Sequence, residues 1–348
     1  MNKFILHILT FILCASIMNS CERRPLVNID NKVTIRVIVN TDSIQNVTSG
    51  IYNSRIAAPK IAPKVMRVIF YDPDTKELRS QGFIYNRGTT PEGHTYLEGE
   101  VYVEAGTYDI LCYNFDTPTT LIRGEKNWNT ITAYTSEISE HLYSRFKSRA
   151  DDPKSPIYYS PDHLMVGRKS AYTIPEHTEK LTINIETRTI IDTYYIQIKL
   201  QNGQYASDAL AILTDLSPSN QISANKPKEN EYAATFFEMQ RSYDTRARSN
   251  PNILCAVFNT FGKRPDHIDP TMESRLYITI NILTVEGKTL ETTIDMDSIF
   301  QTEQARNNKW LLIDRTIEVP IPVDTVGGGF KPIVNNWNQY NGIIDITQ

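Results

Sequence analysis

Apolar and polar residues alternate through most of the chain after residue 30, and this alternation constrains the fold more than any other feature. A period of two places every second side chain on the same face of a β-strand, so each such stretch predicts a strand with one buried face. The stretch KVTIRVIVN is the first of them. Its expected buried face comprises Val33, Ile35, Val37 and Val39. The chain is therefore expected to consist mainly of half-buried strands.

Short turn sequences separate several of the expected strands. In KVMRVIFYDPDTKEL, an apolar strand runs into a proline-containing turn at Asp72–Lys76. The stretch TYLEGEVYVEAGTYDILCYNF predicts two strands joined by a hairpin at residues 104–107. Farther along, Glu286 and Gly287 interrupt RLYITINILTVEGKTLETTIDMD and predict a second hairpin.

Helical patterns are sparse. One helix is expected in TSEISEHLYSRFKSR, with Thr135 or Ser136 as its N-cap, and another from Ser298, capped by Asp297. Neither is placed to be the spine of an α/β fold, in which strands alternate with helices. The sequence therefore predicts an all-β fold of two tandem β-sandwiches with few short helices.

A length of 348 residues indicates two domains. The polar stretch TIPEHTEKLT, residues 173–182, precedes a new series of alternating strands, and we place the boundary there. The expected domains are residues 21–177 and residues 178–326, followed by a separate segment, residues 327–348. The stretches GTYDILCYNFDT and NPNILCAVFNTFG share a short motif, which weakly indicates that one domain is a duplicate of the other.

The first 20 residues have the pattern of a secretory signal peptide. A short positive region precedes about 15 mostly apolar residues, which are fewer than the roughly 20 needed to span a bilayer. The segment ends in Ser20 and Cys21, which match the last two positions of a bacterial lipobox. Cys21 is therefore predicted to be lipidated and to hold the protein at a lipid bilayer. The alternative is an ordinary signal peptide followed by a cysteine that is there by chance.

Two further cysteines remain in the expected mature chain. Cys112 and Cys255 each lie inside an apolar strand, where a cysteine usually acts as a small buried hydrophobic residue. A disulfide is permitted in an exported protein. We nevertheless expect two free buried thiols, since sulfur atoms in strands of different domains would not meet.

No motif of catalytic or cofactor chemistry is present. The sequence lacks the nucleophile elbow, the P-loop and the dinucleotide-binding glycine motif, and its histidines and cysteines lack zinc spacing. The acidic stretch YDPDTKE lacks the glycine and glutamate of a calcium loop, so a plain turn is expected. A net charge of −4 gives no reason to expect nucleic acid. We therefore expect no enzyme activity, metal or cofactor, although a glycosidase-type carboxylate pair stays open because its separation is three-dimensional.

Several stretches, in their order along the chain, resemble the fimbrillin-like lipoproteins of Bacteroidales. They are VIFYDPDT, EAGTYDILCYN, AYT, FNTFGKRP, GKTLETTIDMDSI and VGGGFKPIVNNWNQYNGIIDI. This superfamily contains the pilin, tip and anchor proteins of Fim- and Mfa-type fimbriae and uncharacterised, DUF5119-like members. The resemblance covers most of the mature chain. It implies two transthyretin-like β-sandwich domains with Greek-key connections, and assembly at the outer membrane.

The resemblance also implies how subunits join. In such pilins a protease cuts after an arginine in the loop that follows the first strand, and the C-terminal strand of another subunit fills the groove left by that strand. Arg55 is the only arginine in the corresponding loop of this chain. An anchor-type subunit would stay uncut and keep its lipid.

The C-terminal segment has the composition of a donor strand. Gly327, Gly328 and Gly329 would form a flexible hinge. The apolar residues of the expected donor strand are Trp337, Ile343, Ile344 and Ile346. The alternative is a C-terminal hairpin packed on its own domain, with the glycines as a turn.

Three functions remain open from the sequence. The first is a non-enzymatic fimbrial subunit, or fimbria-associated lipoprotein of the outer membrane, that acts in adhesion or assembly and has other fimbrial subunits as partners. The second is a monomeric lipoprotein that binds a glycan or a host protein, and the third is a lipoprotein hydrolase. The residues after Cys21 lack an acidic cluster, so periplasm-facing attachment is open beside surface display.

Overall fold

The computed structural model describes residues 32–44, 47, 61–146, 156–176, 181–228, 233–243, 252–263 and 276–323. Within these residues the chain forms 21 strands, three short α-helices and two short 3-10 helices. The strands are β1 (Lys32–Val39), β2 (Met66–Tyr71), β3 (Leu78–Ile84), β4 (Asn86–Thr89), β5 (Thr95–Tyr102), β6 (Gly106–Asn114), β7 (Thr120–Arg123), β8 (Thr132–Thr135), β9 (Ile157–Tyr159), β10 (Met165–Ile174), β11 (Leu181–Thr189), β12 (Asp192–Gln201), β13 (Ala206–Leu216), β14 (Ser219–Gln221), β15 (Lys226–Pro227), β16 (Ala233–Glu238), β17 (Gln240–Tyr243), β18 (Asn252–Thr260), β19 (Tyr277–Thr284), β20 (Thr289–Asp295) and β21 (Trp310–Glu318). The helices are α1 (Glu140–Ser144), α2 (Asp297–Phe300) and α3 (Glu303–Asn308). The predicted all-β class is confirmed.

The N-terminal half, residues 32–189, is built on one eight-stranded sheet. Its strand order is β3-β2-β6-β10-β11-β1-β5-β4. The sheet curls until its two ends approach each other, since the hydroxyl of Ser80 in β3 donates to the carbonyl oxygen of Tyr102 in β5 at 2.6 Å. At this contact Gly82 is required, because a Cβ there would lie 2.7 Å from a methyl carbon of Val101. The fold therefore encloses a core between two layers of one continuous sheet.

The enclosed core consists of alternating side chains from these strands, as the period-two pattern predicts. Its buried members are Val33, Ile35, Val37, Val39, Met66, Val68, Phe70, Ile84, Leu97, Val101, Val103, Tyr108, Ile110, Cys112, Met165, Ile174, Ile183 and Ile185.

The C-terminal half, residues 192–323, is a sandwich of two sheets. One sheet has the order β17-β18-β12-β21 and the other the order β20-β19-β13-β16-β9. The inner faces of both sheets supply the largest buried cluster, with Ile196 and Ile198 from β12 opposite Ala211 and Leu213 from β13. Helix α3 adds Ala305 to this cluster.

The two halves share one strand order. Taken along the chain, β1, β2, β3, β4, β5, β6, β10 and β11 correspond to β12, β13, β16, β17, β18, β19, β20 and β21. Each pair of neighbouring strands also keeps its direction, including the parallel pairing of the first strand with the last. The halves differ at one place, because β10 pairs with β11 whereas β20 and β21 belong to separate sheets.

A small sheet joins the halves. It has the order β15-β14-β8-β7, so β14 of the C-terminal half pairs with β8 of the N-terminal half. The strand β9 likewise crosses over and pairs with β16. The change from one main sheet to the other lies between Thr189 and Asp192, one strand later than the boundary expected at residues 177/178.

Two of the predicted turns are confirmed and one is wrong. Asp72–Lys76 connects β2 to β3, and Glu286 with Gly287 connects the antiparallel strands β19 and β20. The hairpin predicted at residues 104–107 does not form, because β5 pairs with β1 and β4 whereas β6 pairs with β2 and β10. Strands of opposite layers send their apolar faces to the same core, so alternation alone does not show which strands are neighbours.

The predicted helix starts need correction. Helix α1 begins at Glu140, and the hydroxyl of its N-cap Ser139 accepts from the amide of Leu142. Thr135 lies in β8 and the carbonyl of Ser136 accepts from the amide of Tyr159, so strand contacts occupy both predicted caps.

The second predicted helix is divided into two. Asp297 is the first residue of α2 and not its cap. Thr302 then caps α3, accepting from the amide of Ala305 at 3.2 Å. Thr302 lies in the middle of the stretch predicted as one helix, and its hydroxyl favours the start of a new helix there.

Candidate functional site

Strand β1 lies between two other strands of the curled sheet. Its residues 33–39 pair in parallel with residues 181–187 of β11, and residues 32–38 pair antiparallel with residues 102–96 of β5. Both backbone edges of β1 are therefore hydrogen-bonded. We call the space that β1 occupies between β5 and β11 the β1 groove.

The inward face of β1 is fully buried. The exposed fractions of Val33, Ile35 and Val37 are 0%, and that of Val39 is 3%. Complete burial of such a side chain contributes roughly 1.5–3 kcal/mol. The sequence pattern predicted these four residues, and the strand acts as an apolar plug in the groove.

The outward face of β1 carries charges that match β5. The guanidinium of Arg36 donates to the carboxylate of Glu98 at 2.6 Å and lies 4.6 Å from the ring centre of Tyr96. Lys32 forms an ion pair with Glu100. These pairs are solvent-exposed, so they contribute little to stability, but they favour one register of β1 against β5.

The chain that follows β1 crosses to the C-terminal half. The amide of Thr189 donates to the hydroxyl of Ser43 at 3.0 Å, which fixes the start of this crossing at the end of β11. Val47 is fully buried among Tyr195 and Cys255 on the outer face of the β17-β18-β12-β21 sheet. The indole of Trp310 donates to the carbonyl oxygen of Val47 at 2.8 Å. We call residues 40–44 and Val47 the strap.

Sequence reasoning did not find the strap. It treated TDSIQNVTSG as part of a loop, in which Ile44 and Val47 stand among polar residues without a strand-like alternation. These two apolar side chains are the signal, and nothing local shows which surface each of them covers.

The other residues singled out from the sequence lie outside the described residues. They are Cys21, Arg55, Gly327, Gly328, Gly329, Trp337, Ile343, Ile344 and Ile346. The described chain begins at Lys32, and it ends at Val323, where Ile321 and Val323 are 60% and 72% exposed.

The acidic turn after β2 uses its oxygens internally. One carboxylate oxygen of Asp72 accepts from the amides of Asp74 and Thr75, both at 2.9 Å, and the other accepts from Arg79. These hydrogen bonds, first the one from Thr75, hold the pKa of Asp72 well below its usual range. Asp72 therefore uses both of its carboxylate oxygens to stabilise the turn. Among the described residues no cluster of three metal-ligating side chains occurs.

Both cysteines of the described chain are buried and neither forms a disulfide, as predicted. Cys112 lies in the N-terminal core and Cys255 lies beneath the strap. Burial raises the pKa of the Cys112 thiol to about 12, so this thiol is unreactive in the folded protein. No helix of the described residues is long and apolar enough to cross a membrane.

Comparison with known proteins places this architecture in a family. The model described as "Domain of unknown function (DUF5119)" matches residues 20–238, which include β1 and every strand through β16. The chain belongs to the DUF5119 family. The match begins one residue before Cys21 and contains the whole β1 groove.

This DUF5119 chain has a relative in Bacteroides ovatus with the name "Putative fimbrium anchoring subunit Fim4B". The two are 21% identical over 251 residues, which are 69% of this chain and 67% of the relative.

Solved structures show where the fold recurs. A putative adhesin from Bacteroides ovatus superimposes with a TM-score of 0.57 at 19% identity, over 87% of this chain and 98% of that one. The two proteins therefore share a fold. The fimbrial anchor protein Mfa2 from Porphyromonas gingivalis matches at a TM-score of 0.44 and 10% identity, over 81% of this chain and 88% of Mfa2.

Proposed function

We propose that this DUF5119 protein is a non-enzymatic, fimbria-associated subunit of the outer membrane that joins other subunits by β-strand exchange. The observation that carries the proposal is the β1 groove. Strand β1 is hydrogen-bonded along both of its edges, to β5 and to β11, and its alternate side chains fill the core. Strand addition depends on these two features, main-chain hydrogen bonds and pockets for alternate side chains.

The groove would accept another strand if β1 were absent. Backbone groups of β5 and β11 over seven residues each would then lack partners, and the spaces of four buried side chains would open. An unpaired edge of this kind attracts an extended segment. The C-terminal segment with Trp337, Ile343, Ile344 and Ile346, hinged at residues 327–329, is the proposed donor to a neighbouring subunit.

Within this system we assign the chain the anchoring position. Its curated relative is named for that role. The proposed lipid on Cys21 precedes Lys32 by 11 residues, a span of at most about 40 Å. In an uncut chain β1 thus connects the lipid to the fold, whereas cleavage after Arg55 would separate the two.

The test is the N-terminus of the mature protein. Fimbriae are purified from cells grown with labelled palmitate, and the protein is analysed by mass spectrometry of its N-terminal peptide. An anchor should carry label on Cys21 and retain β1, and the Cys21→Ser variant should lose both the label and membrane attachment. The Arg55→Ala variant should behave like the wild type.

Two results would contradict the proposal. A mature chain that begins at Ile56 would be a shaft subunit, in which β1 has been removed. A labelled, membrane-held protein that never copurifies with fimbrial subunits would instead be the monomeric binding lipoprotein that the sequence left open.

A further inference from the structure

Each half of the molecule begins and ends with strands that lie side by side. In the N-terminal half the first strand β1 and the last strand β11 are parallel over seven residue pairs, from Val33↔Leu181 to Val39↔Thr187. In the C-terminal half the first strand β12 and the last strand β21 are also parallel, from Tyr195↔Trp310 to Gln201↔Glu318, with one shift of register between Ile198 and Lys199. The chain therefore enters and leaves each half through one parallel pair.

This arrangement determines how the strand pairs resist a pulling force applied along the chain. A pull on the start of β1 and on the end of β11 draws the two parallel strands along their axes in opposite directions. All hydrogen bonds between them are then loaded together, in shear. A pull that separates two adjacent strand ends loads one hydrogen bond at a time, so the same pair opens at a much lower force.

The N-terminal pair is reinforced beyond its own ladder. β1 is also paired with β5, so sliding β1 out requires both ladders to break. At the far end of the pair, the hydroxyl of Thr187 donates to the carbonyl of Ile38 at 3.1 Å, and the side-chain amide of Asn40 donates to the carboxylate of Glu186 at 2.6 Å.

The C-terminal pair has equivalent reinforcement. β12 is flanked on its other side by β18 over nine residue pairs. Backbone hydrogen bonds extend the parallel ladder at both ends, from the amide of Tyr195 to Lys309 at 3.0 Å and from the amide of Val319 to Gln201 at 2.9 Å.

The junction between the pairs is short and fixed. Only Ile190 and Ile191 separate Thr189 from Asp192, and both isoleucines are buried. The amide of Ile190 donates to the carbonyl of Leu164 at 3.1 Å. Tension that leaves β11 therefore enters β12 without slack.

We propose that the two halves are tandem shear clamps that carry tensile load in series from the N-terminal to the C-terminal end of the chain. The inference deepens the proposed anchoring function, which would place a membrane at one end and a fimbria at the other. The clamps themselves follow from the parallel pairs and depend neither on the lipid nor on a fibre.

Single-molecule force spectroscopy tests the clamp with matched pulling directions. The chain from residue 22 is prepared as the double variants Lys32→Cys with Arg188→Cys and Lys32→Cys with Thr182→Cys, all at exposed positions. The first attaches handles at opposite ends of the β1–β11 pair and loads it in shear. The second attaches them at the same end and unzips the same pair. Cys112 and Cys255 are buried and stay unlabelled in the folded protein.

We expect the shear direction to require a several-fold higher rupture force than the unzipping direction at equal loading rate. Equal forces, or a lower force in shear, would overturn the proposal. A third variant, Lys32→Cys with Glu318→Cys, loads both clamps and should give two separate ruptures. Complete extension of residues 32–189 and 192–318 releases at most about 570 Å and about 460 Å respectively, which identifies each half.

A single rupture in this third variant would contradict two independent clamps in series. Loss of palmitate labelling or of fimbrial copurification would refute the anchoring function and leave these forces unchanged, so failure of the two proposals can be told apart.

Discussion

At the scale of single residues, the burial of alternate side chains on β1 determines how firmly the strand is held. Ile35 is fully buried in the core, whereas the neighbouring Thr34 lies on the opposite, partly exposed face. The two residues differ by one position in the same ladder, so they separate the contribution of packing from that of backbone pairing.

Substitution of Ile35 by alanine should reduce the free energy of unfolding by about 2–5 kcal/mol, because it removes buried methyl groups and leaves a cavity. Thr34→Ala should cost about 1 kcal/mol or less. Urea denaturation followed by circular dichroism measures both values. Equal losses from the two substitutions would show that β1 is held by its backbone alone.

His163 gives a second prediction at this scale, on pH. The imidazole lies at the junction of the halves, with Nε2 3.4 Å from the hydroxyl of Thr193, and its Nδ1 has no hydrogen-bond partner among the described residues. Burial lowers the pKa of His163 to about 4, while nearby Asp162 opposes the shift. As the pH falls below about 6.5, this imidazole therefore becomes protonated in the unfolded chain before it does so in the folded chain.

The protein should consequently lose stability between about pH 6.5 and pH 4 through His163. In the His163→Gln variant, which has no group to protonate there, the loss over this interval should be smaller. Chemical denaturation at several pH values gives the difference between the two proteins. The same substitution at exposed His94 controls for removal of a surface imidazole. A variant with the same pH dependence as the wild type would contradict the assignment.

At the scale of elements, the strap is the contact that connects β1 to the C-terminal half. Val47 covers Cys255 on the outer face of the β17-β18-β12-β21 sheet, whereas Cys112 lies in the separate core of the N-terminal half. The two thiols therefore report on two different parts of the fold within one molecule.

The Val47→Asp substitution should expose Cys255, because a carboxylate is not stable in that apolar contact without a partner. Labelling of the folded protein with a maleimide, followed by peptide mapping, should show Cys255 reacting faster than in the wild type while Cys112 stays protected. Val323→Asp is the matched control, since Val323 is already exposed. Equal acceleration at both cysteines would indicate global unfolding and not release of the strap.

The elements also show how far sequence reasoning reaches. Alternation predicted the strands and the buried face of β1, because the pleat alone determines which side chains share a face. Neighbour relations depend on the path of the chain between layers, so the predicted hairpin at residues 104–107 failed. The strap was missed because Val47 belongs to no repeating pattern of apolar residues that would indicate a buried face. The predicted site residues all stay predictions, namely Cys21, Arg55, the hinge at residues 327–329 and the donor-strand residues Trp337, Ile343, Ile344 and Ile346.

At the scale of the whole molecule, the shared strand order of the halves indicates an internal duplication. The sequence echo that suggested duplication compares strands that do not correspond, however. GTYDILCYNFDT contains β6, whose counterpart is β19, whereas NPNILCAVFNTFG contains β18, whose counterpart is β5. The short motif is therefore a coincidence of strand composition, and the evidence for duplication is the topology.

Removal of the leading segment should convert the monomer into a polymer. A chain that begins at residue 56 lacks β1 and Val47, so its groove exposes unpaired edges of β5 and β11. It should form ladders on non-denaturing and mild SDS gels, whereas the chain from residue 22 should stay monomeric. Deletion of residues 327–348 from the shortened chain should abolish the ladders, because the proposed donor strand is gone.

Competition by a peptide with the sequence KVTIRVIVN distinguishes specific strand exchange from nonspecific aggregation. It should enter the open groove with its alternate apolar side chains inward and block the ladders. A scrambled peptide of the same composition loses the alternation and should not compete. Ladders that persist without residues 327–348, or that both peptides suppress equally, would mean that the shortened chain aggregates through exposed core and that the β1 groove has no selectivity for a strand.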